Sequence, residues 1–332
     1  MKLSIIIPCF NSEKYIGNLM KSIMKELNSD SEVIIIDDGS TDDTSRIIES
    51  YSCDKVIIMH IENLGVSNAR NLGIEHARGD YVCFLDSDDF VEEKYIQRIL
   101  SNIEQKPDII LFGCVSLYNE NNLIYTLPNY NGKFEVIKND AKFFNYNLLN
   151  SPCNKVYKRS ILMENNIKFD VNLSISEDFR FNLIVFRFVE NCLCIRDLHY
   201  QYNCMNENSL TKKSYNKLAI IEKENINLLR YLVDINNKET ESYFFQYMIN
   251  SIIYVLRRNI ENNELSYYDR KEQFREFRNI FEFRNIKFDK NRRFIDKLFL
   301  YLIKLNQYLI LEIIINRYEF FSKLYLKIKN RK

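Results

Sequence analysis

Short apolar runs alternate with amphipathic segments along the first third of the chain. The runs are rich in Ile and Val, which predicts strands, and the segments between them have helical spacing. Because several runs are apolar throughout, we expect strands buried on both faces, in a mostly parallel sheet with helices on either side. The predicted strands are 3–7, 32–36, 55–61, 81–85 and 109–115, and the predicted helices lie around 13–27, 41–51, 66–77 and 92–105.

The second half of the chain follows a different pattern. Helical periodicity dominates from about residue 213, and all seven glycines and all four prolines precede residue 153. A segment without these turn residues is typical of long helices joined by short polar connections. We therefore predict an α/β domain over residues 1–210 and an all-helical C-terminal region over residues 211–332.

Residues 291–329, drawn as one helix, combine a polar stripe with a wide apolar face. Residues 287–332 carry 12 Lys or Arg and four Asp or Glu, a local surplus of eight positive charges. Two interpretations stay open: a helix packed on the protein or on a second copy, and a basic amphipathic helix on an anionic membrane surface. The stripe contains Lys297, Lys304, Glu312, Asn316, Glu319 and Lys323, and the apolar face contains Leu298, Leu302, Leu305, Leu309, Ile313 and Phe320.

Composition narrows the class of protein. The chain has 332 residues, 46% of them hydrophobic, and a net charge of +1, so it can bury a large core and has no general attraction for nucleic acid. Its eight cysteines lack CxxC spacing, and we interpret them as buried thiols in a reducing compartment. No signal peptide or membrane span is predicted. We expect a cytoplasmic protein, with the inner face of the cytoplasmic membrane as the alternative location.

Acidic residues follow two of the predicted strands. Asp37 and Asp38 follow the second strand, and Asp86, Asp88 and Asp89 follow the fourth. Ligands of open parallel sheets bind beyond these strand ends. Mg²⁺ and Mn²⁺ prefer oxygen ligands, and residues two apart on an extended strand share a face, so Asp86 and Asp88 are candidate metal ligands. The alternative is a solvated turn in which Asp88 or Asp89 caps the next helix.

Further candidates lie near other strand and helix ends. Asp38 can accept a hydrogen bond from a nucleotide base or ribose, and Phe10 can offer the base a flat face. Arg70, one turn into a helix, is a candidate diphosphate contact. Glu177 and Asp178 precede an apolar helical run, where they either cap the helix or act as a general base toward an acceptor hydroxyl. No histidine is placed by a motif, so a carboxylate base is the economical choice.

Together these stretches resemble family 2 glycosyltransferases of the GT-A fold, of the bacterial surface or capsular polysaccharide type. The resemblance covers about residues 1–210, and the order of its motifs makes it specific. The C-terminal helices match no family on this basis. The matching stretches are 4–11, 36–42, 63–73, 77–89, 154–159 and 177–178.

The resemblance implies an inverting, metal-dependent transfer of a sugar from a nucleoside-diphosphate sugar, first of all a UDP-sugar. The implied acceptor is a hydroxyl of a glycan or lipid-linked glycan, and the implied cofactor is Mn²⁺ or Mg²⁺. By position, the resemblance places Pro8, Phe10, Asp37 and Asp38 around the base, Arg70 near the diphosphate, Asp86 near the ribose or donor sugar, Asp88 on the metal, and Asp178, with Glu177 beside it, as the catalytic base.

Other classes fit the sequence less well. A nucleotidyltransferase needs a glycine-rich, basic phosphate loop after the first strand, and a dehydrogenase needs GxGxxG there; residues 8–11 provide neither. A glycosidase also uses paired carboxylates but has no use for nucleotide-type strand ends. A non-catalytic carbohydrate- or partner-binding protein on the same scaffold stays open, although Asp88 and Asp178 argue against it.

Overall fold

The computed structural model describes residues 1–117, 123–125, 132–133, 149–173, 175–204, 218–234, 236–261, 265–278, 294–315 and 317. The chain divides into two compact units, Met1–Ser209 and Leu210–Lys332. The first unit contains a ten-stranded sheet with helices, and the described part of the second unit is built from helices.

The sheet of the first unit is mixed but mostly parallel. Its order is β3-β2-β1-β4-β9-β6-β10-β5, with β7 paired to β6 and β8 to β10. Strands β1 to β4 are parallel, β6 and β10 are parallel to each other, and β9 runs antiparallel between β4 and β6. The strands are β1 Leu3–Cys9, β2 Ser31–Asp37, β3 Val56–His60, β4 Tyr81–Phe84, β5 Phe90–Val91, β6 Ile109–Leu117, β7 Leu123–Tyr125, β8 Gly132–Lys133, β9 Lys155–Lys158 and β10 Asn191–Asn203.

In the described part of the first unit, six helices accompany the sheet. Every residue of β1, β2 and β4 is buried, as expected of strands covered on both faces. The helices are α1 Ile16–Met24, α2 Thr44–Glu49, α3 Val66–His76, α4 Tyr95–Ile103, α5 Arg159–Glu164 and α6 Glu177–Val185.

Helix α3 lies very close to the sheet, and Gly73 makes this possible. A Cβ atom on Gly73 would lie 2.3 Å from Cγ2 of Ile6 in β1 and 3.2 Å from Cδ1 of Ile36 in β2. Any larger residue would force the helix outward, because a packed core does not yield by this much without strain. The glycine therefore fixes the distance between α3 and the strands whose ends form the site.

The five predicted strands and four predicted helices of residues 1–117 are all present, with boundaries that differ by a few residues. The sequence pattern does not predict β5, β7, β8, β9 or β10. Strand β5 has two residues, and β9 and β10 complete the half of the sheet that contains β6. Strands β9 and β10 mix polar with apolar residues: β9 includes a buried lysine, Lys155, and β10 begins and ends with asparagine.

The second unit is helical where it is described. Its helices are α7 Leu218–Leu232, α8 Lys238–Glu261, α9 Tyr267–Arg278 and α10 Phe294–Lys304, followed by a helical stretch over 308–315. None of the described helices combines the length and the hydropathy that a bilayer span requires.

The prediction of one continuous amphipathic helix over 291–329 is wrong within the described residues. The backbone of Asn306 has φ 58°, and the chain turns there between α10 and the next helical stretch. Beyond this turn the faces are reversed: Glu312 is 8% exposed, whereas Leu309 is 55% and Ile313 47% exposed. Residues 291–293, 316 and 318–329 of the predicted helix lie outside the described residues.

All eight cysteines are described, and all are free thiols. Five are buried, as predicted; Cys114 and Cys204 are half-buried, and Cys53 is exposed.

Candidate active site

Three loops meet at the carboxyl edge of the parallel strands. Strand β1 lies between β2 and β4, so the segments that follow these three strands are neighbours. The Oγ atoms of Ser12 and Ser87 lie 2.6 Å apart, and the Asn11 side chain accepts the backbone N–H of Thr41 at 2.8 Å. These bonds link the loop after β1 to both of its neighbours.

Pro8 and Phe10 occupy opposite environments in the loop after β1. Pro8 is buried at the register position opposite Ile36 of β2, beyond the end of the ladder with β4. A proline tolerates this position because no further bond to β4 requires its missing N–H. The ring of Phe10 is 46% exposed and free to receive a flat ligand. Contact of either residue with a base stays a prediction.

Asp37, at the end of β2, is 2% exposed and already engaged. Its Oδ1 accepts the backbone N–H of Ser40 at 3.0 Å, and its Oδ2 accepts the hydroxyl of Ser45 and lies 2.9 Å from Nδ1 of His60. Burial opposes ionisation, but these hydrogen bonds hold the pKa of Asp37 below its ordinary value. The carboxylate therefore braces the turn after β2.

Asp38, at 4% exposure, braces the segment that leads into α3. Its Oδ1 accepts the N–H of Leu64 at 2.8 Å, and its Oδ2 accepts the N–H of Gly65 at 2.9 Å. Gly65 has φ 92°, a left-handed conformation that glycine adopts without strain. Burial raises the pKa of Asp38 even though these two bonds favour the charged form.

The loop after β4 carries the candidate metal ligands and is held from β10. The hydroxyl of Tyr200 accepts the backbone N–H of Asp86 at 3.1 Å, and the side-chain amide of Asn203 donates to the backbone carbonyl of Asp88 at 3.0 Å. These bonds fix the backbone of the loop, and both Asp86 and Asp88 are partly exposed residues. Strand β10 thus positions this loop from the side opposite β1.

Asp89 does not cap the following helix, so the interpretation of this residue as a helix cap is wrong. It is 1% exposed and accepts the hydroxyl of Tyr200 and the backbone N–H of Asn203, the latter at 2.7 Å. Burial and the neighbouring charge of Asp86 raise its pKa well above the ordinary value. Helix α4 begins at Tyr95, where the first backbone N–H groups donate instead to the carboxylate of Glu26.

Asp178 lies in the first turn of α6, and its side chain is 22% exposed. Burial raises its pKa to about 7, against the opposing effect of Arg70, and the charges of Glu177 and Asp86 contribute to the rise. A carboxylate with this pKa is suited to proton transfer near neutral pH. Glu177 occupies the same turn and is half-buried.

Arg70 joins residues that lie far apart in the sequence. Its Nη1 donates to Oδ1 of Asp178 at 2.6 Å, and its Nη2 donates to Oδ1 of Asp86 at 2.8 Å. The Arg70 side chain is only 4% exposed. The candidate base and a candidate donor contact, 92 residues apart, are therefore parts of one ion-paired network.

The carboxylates of this site fit a cation that is bound jointly by the protein and a substrate phosphate, rather than one bound by protein ligands alone. Within the described ranges, no group of three His, Cys, Asp or Glu side chains is arranged as metal ligands. Asp86 and Asp88 are instead partly exposed residues of one short loop. Mg²⁺ commonly binds in this way, through one or two carboxylates together with substrate phosphates.

Sequence reasoning missed the residues that support the site from β9 and β10. Tyr200 and Asn203 hold the loop after β4, and Lys155 lies fully buried near Asp178. Lys155 lies within 154–159, one of the stretches that resemble the family, and that resemblance was a signal for it. Tyr200 and Asn203 carried no local signal, because their partners lie more than 100 residues away.

Comparison with known proteins finds similarity to glycosyltransferases. Residues 4–165 match the family model described as glycosyl transferase family 2. The chain is 31% identical over 227 residues to the uncharacterized glycosyltransferase EpsJ of Bacillus subtilis, a match that spans 64% of each protein. It is 27% identical over 220 residues to the Staphylococcus aureus poly(ribitol-phosphate) β-N-acetylglucosaminyltransferase TarS, and this match spans 65% of the chain and 38% of TarS.

The fold also has a solved counterpart. The crystal structure of S. aureus TarS 1–349 in complex with UDP aligns with a TM-score of 0.68 and 20% identity, over 96% of this chain and 91% of that one. A structure of the same fragment with UDP-GlcNAc aligns with a TM-score of 0.67. These likenesses confirm the predicted GT-A fold.

Proposed function

We propose that the chain, whose residues 4–165 match the model of glycosyl transferase family 2, transfers a sugar from a nucleoside-diphosphate sugar to a hydroxyl of a glycan or lipid-linked glycan. The proposed setting is the synthesis of a bacterial cell-surface polysaccharide. A UDP-sugar is the first donor to consider, because TarS fragments of this fold have been crystallised with UDP and with UDP-GlcNAc.

The observation that carries the proposal is the single network formed by Asp86, Arg70 and Asp178. A base must lie close to the donor if it is to deprotonate the attacking hydroxyl, and this network provides that proximity. The loop after β4 and the first turn of α6 thus supply the donor side and the acceptor side of one reaction centre.

The proposed reaction is a direct displacement with inversion. The acceptor oxygen bonds to the anomeric carbon, the bond from that carbon to the diphosphate oxygen breaks, and the hydroxyl proton passes to Asp178. Asp88 and Asp86 would hold a divalent cation, which when bound neutralises charge on the departing diphosphate.

The first test is binding and turnover of the donor. We expect UDP and UDP-GlcNAc, each with Mn²⁺, to raise the melting temperature, and we expect slow release of UDP from at least one UDP-sugar. GDP-mannose with Mn²⁺ is the matched donor control. Binding without any release of UDP, across UDP-sugars and glycan acceptors, would favour the non-catalytic alternative. Failure of every nucleotide to bind would contradict the proposal itself.

We also propose that the end of the second unit contacts an anionic membrane surface, which would place the enzyme near a lipid-linked acceptor. Three aliphatic side chains there are 48%, 55% and 47% exposed, namely Leu305, Leu309 and Ile313. They lie within the 287–332 segment, whose surplus of eight positive charges complements anionic headgroups. Apolar insertion and this charge act together in interfacial helices.

Vesicle flotation tests this contact. We expect binding to vesicles that contain phosphatidylglycerol, weaker binding to pure phosphatidylcholine, and loss of binding in the Leu309→Glu, Ile313→Glu double variant. Ile220→Glu on α7, at a residue that is 49% exposed, is the matched control and should still float. Unchanged flotation of the double variant would contradict the membrane contact. Loss of a dimer in the same variant would indicate a second copy as the occupant.

A further inference from the structure

Arg70 has an unusual position for a residue expected to bind a diphosphate. It is buried in α3, and both of its terminal nitrogens are already bonded to carboxylates, Asp178 on one side and Asp86 on the other. A guanidinium that is 4% exposed has little surface left for a ligand. Its geometry suits a fixed bridge within the protein better than a contact with an incoming anion.

The surroundings of Arg70 hold the guanidinium in one place. It lies over the ring of Phe169, 5.2 Å from the centroid, and that ring stacks on Phe181 of α6 with centroids 3.9 Å apart. Asn71, next to Arg70, exchanges two hydrogen bonds with the backbone of Phe169, at 2.9 and 2.8 Å. The guanidinium is therefore fixed against the helix that carries Asp178.

We propose that Arg70 is a positioning residue that joins Asp86, on the donor side, to Asp178, the base, and holds Asp178 in the orientation for proton transfer. This inference rests on the proposed function, because it assigns Asp178 the role of base. It adds a role for an arginine that would otherwise be counted among the donor contacts. Arg70 itself neither gives nor takes a proton.

The forked shape of arginine is required for this role. A guanidinium presents donors in one plane and can bond two carboxylates at once, whereas a lysine ammonium is a compact point charge. The charged groups that influence Asp178 are Arg70, Glu177, Asp86 and Lys155. Lys155 cannot replace Arg70, because its Nζ bonds to the Ser151 carbonyl and the Asn154 side chain, and burial lowers its pKa to about 7.

Two variants separate charge from shape. In Arg70→Gln, loss of the nearby positive charge should move the acid limb of the pH–rate profile upward by about one pH unit or more. We expect kcat to fall about 100-fold through misplacement of the base, with little change in donor KM. In Arg70→Lys, the limb should stay near that of the wild type while kcat remains low, because one ammonium cannot span both carboxylates.

Arg78→Gln is the matched control. Arg78 also pairs with a buried carboxylate of the first unit. That carboxylate belongs to Glu32, near the start of β2, whereas Asp178 lies in α6. We expect Arg78→Gln to lower the melting temperature without moving the acid limb. If Arg70→Gln moves the acid limb no more than Arg78→Gln does, Arg70 is merely structural and the inference is overturned.

A double-mutant cycle tests the bridge without relying on activity. Arg70→Gln and Asp178→Asn together should lower the melting temperature by less than the sum of their separate effects, because each breaks the same ion pair. Additive effects would overturn the bridge. Absence of transfer by the wild-type enzyme, with the non-additivity retained, would instead count against Asp178 as a base and so against the proposed function.

Discussion

The carboxylates at the end of β2 and those at the end of β4 lie along one edge of the sheet but are used differently. Asp37 and Asp38 are 2% and 4% exposed, and every oxygen of the two carboxyl groups accepts a hydrogen bond from the protein. Asp86 has a side chain 31% exposed, and Asp88 is partly exposed as well. Asp37 and Asp38 therefore stabilise the loops at this edge of the sheet, whereas Asp86 and Asp88 are partly accessible to solvent.

This difference separates two roles that acidic motifs share in a sequence. A carboxylate that accepts hydrogen bonds from backbone N–H groups fixes the conformation of a loop. A ligand can bind it only through the acceptor sites that those bonds leave unused. A carboxylate left partly exposed beside a buried arginine retains oxygens for a cation or a proton. The substitutions below should therefore affect stability at the end of β2 and chemistry at the end of β4 and in α6.

The largest effect is expected from Asp178→Asn, on the chemical side of the comparison. Transfer should fall by roughly 10²- to 10⁴-fold, as for loss of a general base, while donor binding persists. In the wild type, the rate should fall as the pH drops below about 7, because the pKa of Asp178 is raised to about 7 and the protonated form accepts no proton. Initial rates of UDP release from pH 5 to 9 measure both the loss in the variant and the pH dependence of the wild type.

Near-normal transfer by Asp178→Asn would exclude Asp178 as the base. Glu177→Gln, for which we expect a smaller loss of transfer, is the neighbouring control.

Asp88→Asn should come next and should act on the metal. We expect the Mn²⁺ concentration for half-maximal activity to rise about ten- to a hundredfold, because an amide oxygen is a weaker ligand than a carboxylate. Titration of activity with Mn²⁺ and Mg²⁺ provides the measurement. Asp37→Asn is the comparison at the other strand end and should leave the metal response unchanged. Equal metal curves for Asp88→Asn and the wild type would remove Asp88 from the metal site.

Asp38→Asn should mainly lower the free energy of unfolding, rather than change the response to metal. An asparagine has one acceptor oxygen, so its NH₂ group would face the N–H of Leu64 or Gly65, and we expect a cost of about 1–3 kcal/mol. Urea denaturation measures this cost. Asp86→Asn should destabilise less, since Asp86 is partly exposed. A larger stability loss for Asp86→Asn would reverse the comparison.

The smallest effect is expected from His60→Gln, which tests the brace around Asp37. His60 is 45% exposed and lies between Glu49 and Asp37, whose hydrogen bonds raise its pKa. A raised pKa means that the protonated imidazole stabilises the fold. This contribution, roughly 0–1 kcal/mol for such an exposed group, is complete below about pH 6.5 and is lost as the pH rises through the folded-state value. Melting temperatures of His60→Gln and the wild type should therefore differ at pH 5.5 and converge by pH 8.5. A constant difference would contradict the protonation argument.

Local pattern predicted the strands of the β3-β2-β1-β4 half because those strands are apolar on both faces and stand between clear turns. It failed where distant partners decide. Asp89 has the sequence context of a helix cap, but Tyr200 and Asn203 of β10 enclose it, and Glu26 caps the helix instead. No local signal reveals such partners.

The site shows the same division. Ordered motifs identified Asp86, Asp88 and Asp178 as candidates, yet nothing in their spacing indicated that Arg70 would bond to two of them. The turn at Asn306 was equally hidden, because neither glycine nor proline marks it. The turn makes the predicted faces wrong beyond residue 306, because a helix that restarts after a turn no longer continues the rotation of the helix before it.

Strand β9 also bears on how the chain is assembled during synthesis. It lies between β4 and β6 in the sheet, although it follows both in the sequence. A nascent chain that has reached residue 117 contains β1 to β4 and β6, but one edge of β4 has no partner until Lys155–Lys158 leave the ribosome. Unpaired edges of this kind invite pairing with other chains. Until about forty further residues have been translated, this growing chain therefore exposes a strand edge with which other chains can pair.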